Sequence, residues 1–207
     1  MDMCDNLHKL FCSLQRYTYM DISRIPFDDG IYIIFEVGEK YKGWDRIVRI
    51  GTHIASGRLK RRLYSHFKSK NKDGSIFRKN IGRAILNKRK DPYLQIWNLD
   101  TSKLKNKEFR DIDKQAEIEI EVSKYMCSAL SFAVIKVEQK EKRLRLERAI
   151  ISSLCHGKDF KASEKWLGSF STEFEIQKSG MWLKQGLDAL PLIEDEYKFI
   201  ESICGDL

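Results

Sequence analysis

The sequence predicts a mixed α/β (α+β) domain built on a small, mainly antiparallel sheet flanked by helices. Three observations carry that expectation. Two β-branched runs, Ile31-Tyr32-Ile33-Ile34-Phe35-Glu36-Val37 and Arg46-Ile47-Val48-Arg49-Ile50, lie close together across a turn-rich link, the pattern of an antiparallel hairpin. Several other segments space their apolar residues at helical intervals. The chain has 207 residues, 42% hydrophobic and 33% charged. That is enough to bury one core and leaves little room for a two-domain enzyme, so one domain over 1–207 is expected.

In chain order, residues 1–25 read as a helical or partly helical lead-in, closed by Pro26 and the turn formers Asp28-Asp29-Gly30. The first strand follows, turning at Gly38-Glu39-Lys40 and Gly43, and the second ends at Gly51. Ser56 is the expected N-cap of a helix running to Lys68, with Leu59, Leu63 and Phe67 as its core face. One step round that helix, Arg58, Arg62 and His66 form a polar row placed to line a cleft at the rim of the core. A Gly74-Ser75 break precedes a second basic helix from Ile76 to Lys88. Residues 93–98 and 129–138 read as further strands, with a charged helix over 113–126 between them. Helices are expected over 139–154 and 187–203. The two tryptophans of the last 50 residues, Trp166 and Trp182, are read as packing anchors.

Composition narrows the function. No run approaches the roughly 20 apolar residues of a membrane span. The first residues, MDMCDNLHKLFCSLQR, carry acids where a secretory signal would carry bases, so an intracellular, cytoplasmic protein is expected. Five scattered cysteines without a CxxC pair suggest neither a disulfide framework nor a zinc knuckle. The net charge of +8 is concentrated. Residues 57–90 hold thirteen Lys and Arg against one acid, Asp73, while the rest of the chain is slightly acidic. A localised basic segment of this kind suits a phosphate backbone, whose neutralisation releases counterions.

One residue stands out on the helix over 139–154. Glu147 is spaced three from Leu144 and Ile150 and four from Ile151, so it shares their face. A carboxylate there needs an arginine, a proton or a metal ion, because desolvating an unpartnered charge is costly.

Taken together, Gly30-Ile31-Tyr32 opening one strand, Arg49-Ile50-Gly51 closing the next, the stretch Gly57 to Phe67 with Arg62 and His66 one turn apart, and the distant Glu147 resemble the GIY-YIG nuclease family. The first signature matches outright, and in the second an arginine stands where the family has tyrosine. The resemblance spans about residues 28–160, a nuclease core carrying an inserted basic helix at 76–90, with a lead-in at 1–27 and a C-terminal extension at 161–207.

The resemblance implies hydrolysis of a DNA phosphodiester with one divalent ion, Mg²⁺ with Mn²⁺ as a substitute, held by Glu147 as the metal-binding glutamate. It implies that Tyr32 hydrogen-bonds and deprotonates the attacking water. Arg62 would bind the scissile phosphate and stabilise the transition state, and His66 would orient Tyr32 or shuttle a proton. A phenol is a poor base at neutral pH without positive charge nearby; Arg49 supplies such a charge across the hairpin, and His53 is a second candidate to do so. Asp159 falls where the family places an asparagine. The insertion looks most like the type II restriction branch, a phage-defence activity on double-stranded DNA. By that analogy Arg58, Arg61, Arg78, Lys79, Arg83, Lys88 and Arg89 are candidate nucleic-acid contacts, and a homodimer or transient dimer is expected on a palindromic site. The alternatives are a structure-specific repair nuclease and an inactive DNA-binding module.

Overall fold

The computed structural model describes residues 2–205. Its centre is a three-stranded antiparallel sheet of β1 (Gly30–Tyr41), β2 (Trp44–Gly51) and β3 (Leu130–Lys136) in the order β2-β1-β3. Around it lie α1 (Met3–Ser13), α2 (Leu59–Phe67), α3 (Ile76–Lys88), α4 (Leu94–Asn98), α5 (Ile112–Ala129), α6 (Lys140–Cys155), α7 (Phe174–Ser179) and α8 (Glu194–Gly205). No helix of the described residues is long and apolar enough to cross a membrane.

The unbroken apolar run of β1 is explained by its position. It is the central strand, covered on both faces, so both alternating sets of side chains are buried. Ile31, Ile33 and Phe35 join α1, α6 and α8 in one core. Tyr32 and Ile34 face the other core, with α2, α3, α5 and the tryptophans Trp97, Trp166 and Trp182. Both sheet edges are occupied, which removes a site for unwanted strand addition. Tyr17 exchanges backbone hydrogen bonds with Phe132 of β3, and the Trp182 amide donates to the Val48 carbonyl of β2 at 2.7 Å.

Several local expectations are corrected. The hairpin turns at Lys42-Gly43, both at positive φ (46° and 94°), the conformation a two-residue turn between twisted strands requires. Gly38 is therefore inside β1, where the register with β2 slips between Phe35 and Lys40. Residues 93–98 form no strand. Leu94–Asn98 is the short helix α4, and its alternating pattern conceals a four-residue spacing that buries Tyr93 and Trp97. The Trp97 ring fills the space a Cβ at Gly82 would need, and its indole donates to the Lys79 carbonyl at 2.9 Å. The start of α2 is set by Asp29: its carboxylate accepts from the Gly57 amide and from Ser56 Oγ, so Ser56 is not the cap. The last helix begins at Glu194, beyond Pro191, and not at 187.

The inserted helix α3 is where charge counting along the chain misleads. Arg78 is fully buried. It donates to Glu119 Oε2 at 2.6 and 2.9 Å, to Ser123 Oγ at 2.7 Å and to the His66 carbonyl at 3.0 Å. Lys79, also buried, is turned to Asp73 and the Leu99 carbonyl. Arg83 is held by Asn80, Asn98 and Glu173. These three residues fasten the insertion to the core and are withdrawn as nucleic-acid contacts. Arg89 is exposed but paired with Asp91 and Glu121, and Lys88 is exposed over the Phe170 ring. Removing one partner of a buried ion pair leaves a charge uncompensated, at a cost of about 3–5 kcal/mol. Glu119→Ala is accordingly expected to lower the urea midpoint sharply; a change below about 1 kcal/mol would show that the pair does not hold α3.

Candidate active site

The site forms where the two layers meet, at the end of β2. Register places Gly51 opposite Tyr32 and Arg49 opposite Ile34, so Tyr32 and Arg49 share the sheet face on which α2 packs. Gly51 is required there: a Cβ would sit 2.1 Å from the Tyr32 hydroxyl oxygen. Helix α2 delivers Arg62 and His66. Helix α6 comes from the opposite layer and delivers Glu147, whose Oε1 accepts the Thr52 amide at 3.0 Å.

These elements enclose a cleft of about 900 Å³ lined by Arg49, Arg58, Arg61, Arg62, Arg148 and Glu147, with Thr52 and His53. Arginines elsewhere, such as Arg46, Arg78 and Arg143, pair with acids; none of the five cleft arginines does so among the described residues. Glu147 is the only acid among the described residues of the lining. The cleft is thus a concentrated positive surface holding one carboxylate.

Arg49 is 6% exposed. It donates to the Trp182 carbonyl and lies 4.7 Å over the Phe77 ring, but its Nε is buried without a partner. A buried unpartnered donor costs about 1–3 kcal/mol. The C-terminal extension therefore contributes to the site, supplying the Trp182 carbonyl that positions Arg49 and the wall formed by Leu183, Gln185 and Gly186. The anchor of this extension is Glu36, which accepts from both indoles, Trp166 and Trp182, at 3.0 Å and from the Tyr125 hydroxyl.

His66 is not at the rim as its helical row predicted. It is fully buried, with Nε2 2.9 Å from the Tyr32 hydroxyl and Nδ1 2.7 Å from Ser75 Oγ. Burial, reinforced by Arg49, Arg62 and Arg78, holds its pKa well below the ordinary imidazole value. Burial raises the Glu147 pKa, opposed by Arg49, the Thr52 hydrogen bond, Arg148 and Arg62. Arg49 and Arg62 thus act on both His66 and Glu147.

Glu147 does not make the arginine pair open to a carboxylate on an apolar face. Leu144 and Ile151 share its row as expected and line the cleft beside it, while Ile151 also joins Leu146, Ala149, Ile150 and Leu154 in the core contact. Its Oε2 accepts no hydrogen bond among the described residues. No group of three or more His, Cys, Asp or Glu is assembled to hold a metal among them. One free carboxylate oxygen beside an arginine-rich surface nonetheless fits Mg²⁺, which is held by one or two carboxylates with water and substrate oxygens completing the shell.

A further expectation is not met. His53 accepts the Gly30 amide at Nε2 (3.3 Å) and donates from Nδ1 to the Ala55 carbonyl (2.7 Å), and burial lowers its pKa. It is a neutral pin between β1 and the loop after β2, not a compensating charge. Asp159 is exposed at φ 65° and absent from the cleft lining. Sequence reasoning missed Thr52, Ser75, Arg148 and the C-terminal wall. Of these only Ser75 left a local sign, as a serine directly before a helix.

The GIY-YIG domain profile matches residues 6–195, and the chain belongs to that family, one of nucleases that act on DNA. The match takes in both flanks as well as the motif-bearing centre. No curated protein and no solved structure matches this chain.

Proposed function

We propose that this protein is a metal-dependent endonuclease that hydrolyses phosphodiester bonds of double-stranded DNA at specific sequences, in the manner of the restriction branch of its family. The observation that carries the reading is the cleft itself. Five arginines without acid partners surround a single carboxylate, and the Tyr32–His66 pair lies directly behind Gly51. A scaffold that only bound DNA would gain nothing from placing an acid among those arginines, since it repels phosphate.

In this reading Glu147 holds the divalent ion, Mg²⁺ or Mn²⁺, which when bound neutralises charge on the scissile phosphate and the leaving oxygen. Tyr32 would hydrogen-bond the attacking water and take its proton, which requires the chain at Gly51 to move off its fully buried hydroxyl. His66 orients the phenol; its depressed pKa disfavours a proton-shuttle role at neutral pH. Arg62 binds a non-bridging phosphate oxygen with a geometry suited to its planar fork, and Arg49, which lines the same cleft, adds positive charge beside it. Arg58 and Arg61, exposed at the cleft mouth, contact flanking phosphates. Arg61→Ala is expected to weaken binding equally across sequences and to reduce the log–log salt slope by about one, as read from anisotropy titrations at several salt concentrations. Sequence preference falls to the insertion of α3 to α5 and the C-terminal wall, and a palindromic target calls for two copies.

The test is a Mg²⁺ digest of unmodified phage and plasmid DNA beside branched and flapped oligonucleotides. Discrete fragments support the restriction reading. Cutting confined to the branched substrates assigns a repair-type activity, a smear removes sequence specificity, and bound but intact DNA leaves a binding module.

A further inference from the structure

The loop between β2 and α2 carries a side chain that neither the fold nor the chemistry above uses. Among the large apolar residues of the cleft lining, Ile151 and Leu183 are buried and Leu144 is half-buried, but Ile54 is 70% exposed. A single exposed aliphatic residue on a protein surface is ordinary. Ile54 differs in where it sits and in how it is held.

It sits among the groups that face the ligand. Arg58, Arg61 and Arg62 follow it on the same segment and share its cleft, and two residues before it the Thr52 amide donates to Glu147. Its backbone is tied down on both sides. His53 donates from Nδ1 to the Ala55 carbonyl at 2.7 Å, closing the chain around Ile54, and its Nε2 accepts the Gly30 amide. Ser56 Oγ and the Gly57 amide donate to Asp29 at 2.9 and 3.0 Å. The loop is thus fastened to Asp29 and Gly30 at the start of β1, and at its centre it turns carbon toward solvent. That side chain is β-branched, with few rotamers to lose when it becomes buried.

In duplex DNA, apolar surface beside the phosphates is scarce. The base edges in the grooves are polar apart from the thymine methyl groups, and the apolar faces of the bases are reached only by parting a base step. Aliphatic wedges do this, unstacking the step and kinking the duplex while arginines hold the backbone beside it. We propose that Ile54 is such a wedge: it enters a base step next to the phosphate held in the cleft and bends the DNA there. Pyrimidine–purine steps part most easily, so Ile54 favours them without a hydrogen bond to any base. The proposal rests on the reading of the cleft as a DNA site, and not on cutting.

The experiment titrates the full-length protein, in EDTA, against a set of duplexes with 2-aminopurine as the purine of a single TA step placed at successive positions. Fluorescence of the probe is expected to rise on binding in at least one duplex, with wild type and with Ile54→Leu, and to lose that rise with Ile54→Ala. Affinity should fall about tenfold in the alanine variant, the scale of one buried aliphatic side chain, with the log–log salt slope unchanged because no phosphate contact is removed. Ile193, 60% exposed and outside the cleft lining, is the control, and Ile193→Ala should alter neither reading. A probe that stays dark at every position, or brightens equally with Ile54→Ala, overturns the proposal. An affinity loss without any unstacking signal also overturns it, assigning Ile54 to a groove contact such as a thymine methyl. Failure to bind any of the duplexes overturns it as well. The expected signals from a protein that leaves the same duplexes whole in Mg²⁺ uphold Ile54 as the wedge and refute the nuclease reading; cutting without the signals does the reverse.

Discussion

Glu147→Ala is expected to abolish Mg²⁺-dependent cleavage and to leave DNA affinity equal or tighter when both are assayed on one duplex. Glu147 is the only acid among the described residues of the cleft lining, so none of them offers a second carboxylate to take over an ion. The charge stabilisation lost is several kcal/mol, a rate loss of about 10³-fold or more. Affinity moves the other way because the substitution deletes the one negative charge among five arginines. The fold is not at risk. Burial raises the Glu147 pKa, which means that folding penalises the charged form, so at pH 7 a neutral side chain relieves a cost. Glu147→Gln also keeps an acceptor for the Thr52 amide. Cutting at near wild-type rate by either variant would remove Glu147 from the chemistry.

Arg62→Ala is expected to have the second largest effect, a fall in kcat of about 10²–10³-fold, the range seen when one preorganised donor to developing charge is removed. Arg62 is placed for that task. It lies on the cleft side of α2 while Leu59, Leu63 and Phe67 supply the buried face, and it has no carboxylate partner among the described residues. Helix α2 therefore keeps its core contacts in the variant. Arg62→Lys restores the charge without the planar fork and is expected to recover only part of the rate. A loss below tenfold in Arg62→Ala, with the melting temperature lowered, would identify a structural arginine.

The hairpin, α2, α3 and the row of Glu147 were legible because their signals are local. A β-branched run or an i, i+4 apolar row needs no distant partner to be read. What failed depended on residues far along the chain. The acids that neutralise Arg78, Arg83 and Arg89 are Glu119, Glu173 and Glu121, outside the basic segment. Counting charge over 57–90 could not separate internal fasteners from a phosphate-binding surface. The helical period placed His66 correctly beside Arg62 but could not show that Ser75 and Phe77 close over it. Tyr93 to Asn98 fits period two and period four equally over six residues, and only the pocket for Trp97 against Gly82 decides between them. Glu147 shared its row with Leu144 and Ile151 as read, yet whether that row faces a core or a cleft is set by what packs opposite. Here Arg49 and the C-terminal wall stand across from it.

The central claim is that this cleft cuts phosphodiester bonds with one divalent ion, and the most direct measurement is strand scission of a supercoiled plasmid by the purified full-length chain. With Mg²⁺ the plasmid is expected to pass to nicked and linear forms, and EDTA to stop the reaction. A plasmid that the protein retards on a gel but leaves supercoiled, with Mg²⁺ or Mn²⁺ present, would contradict the account.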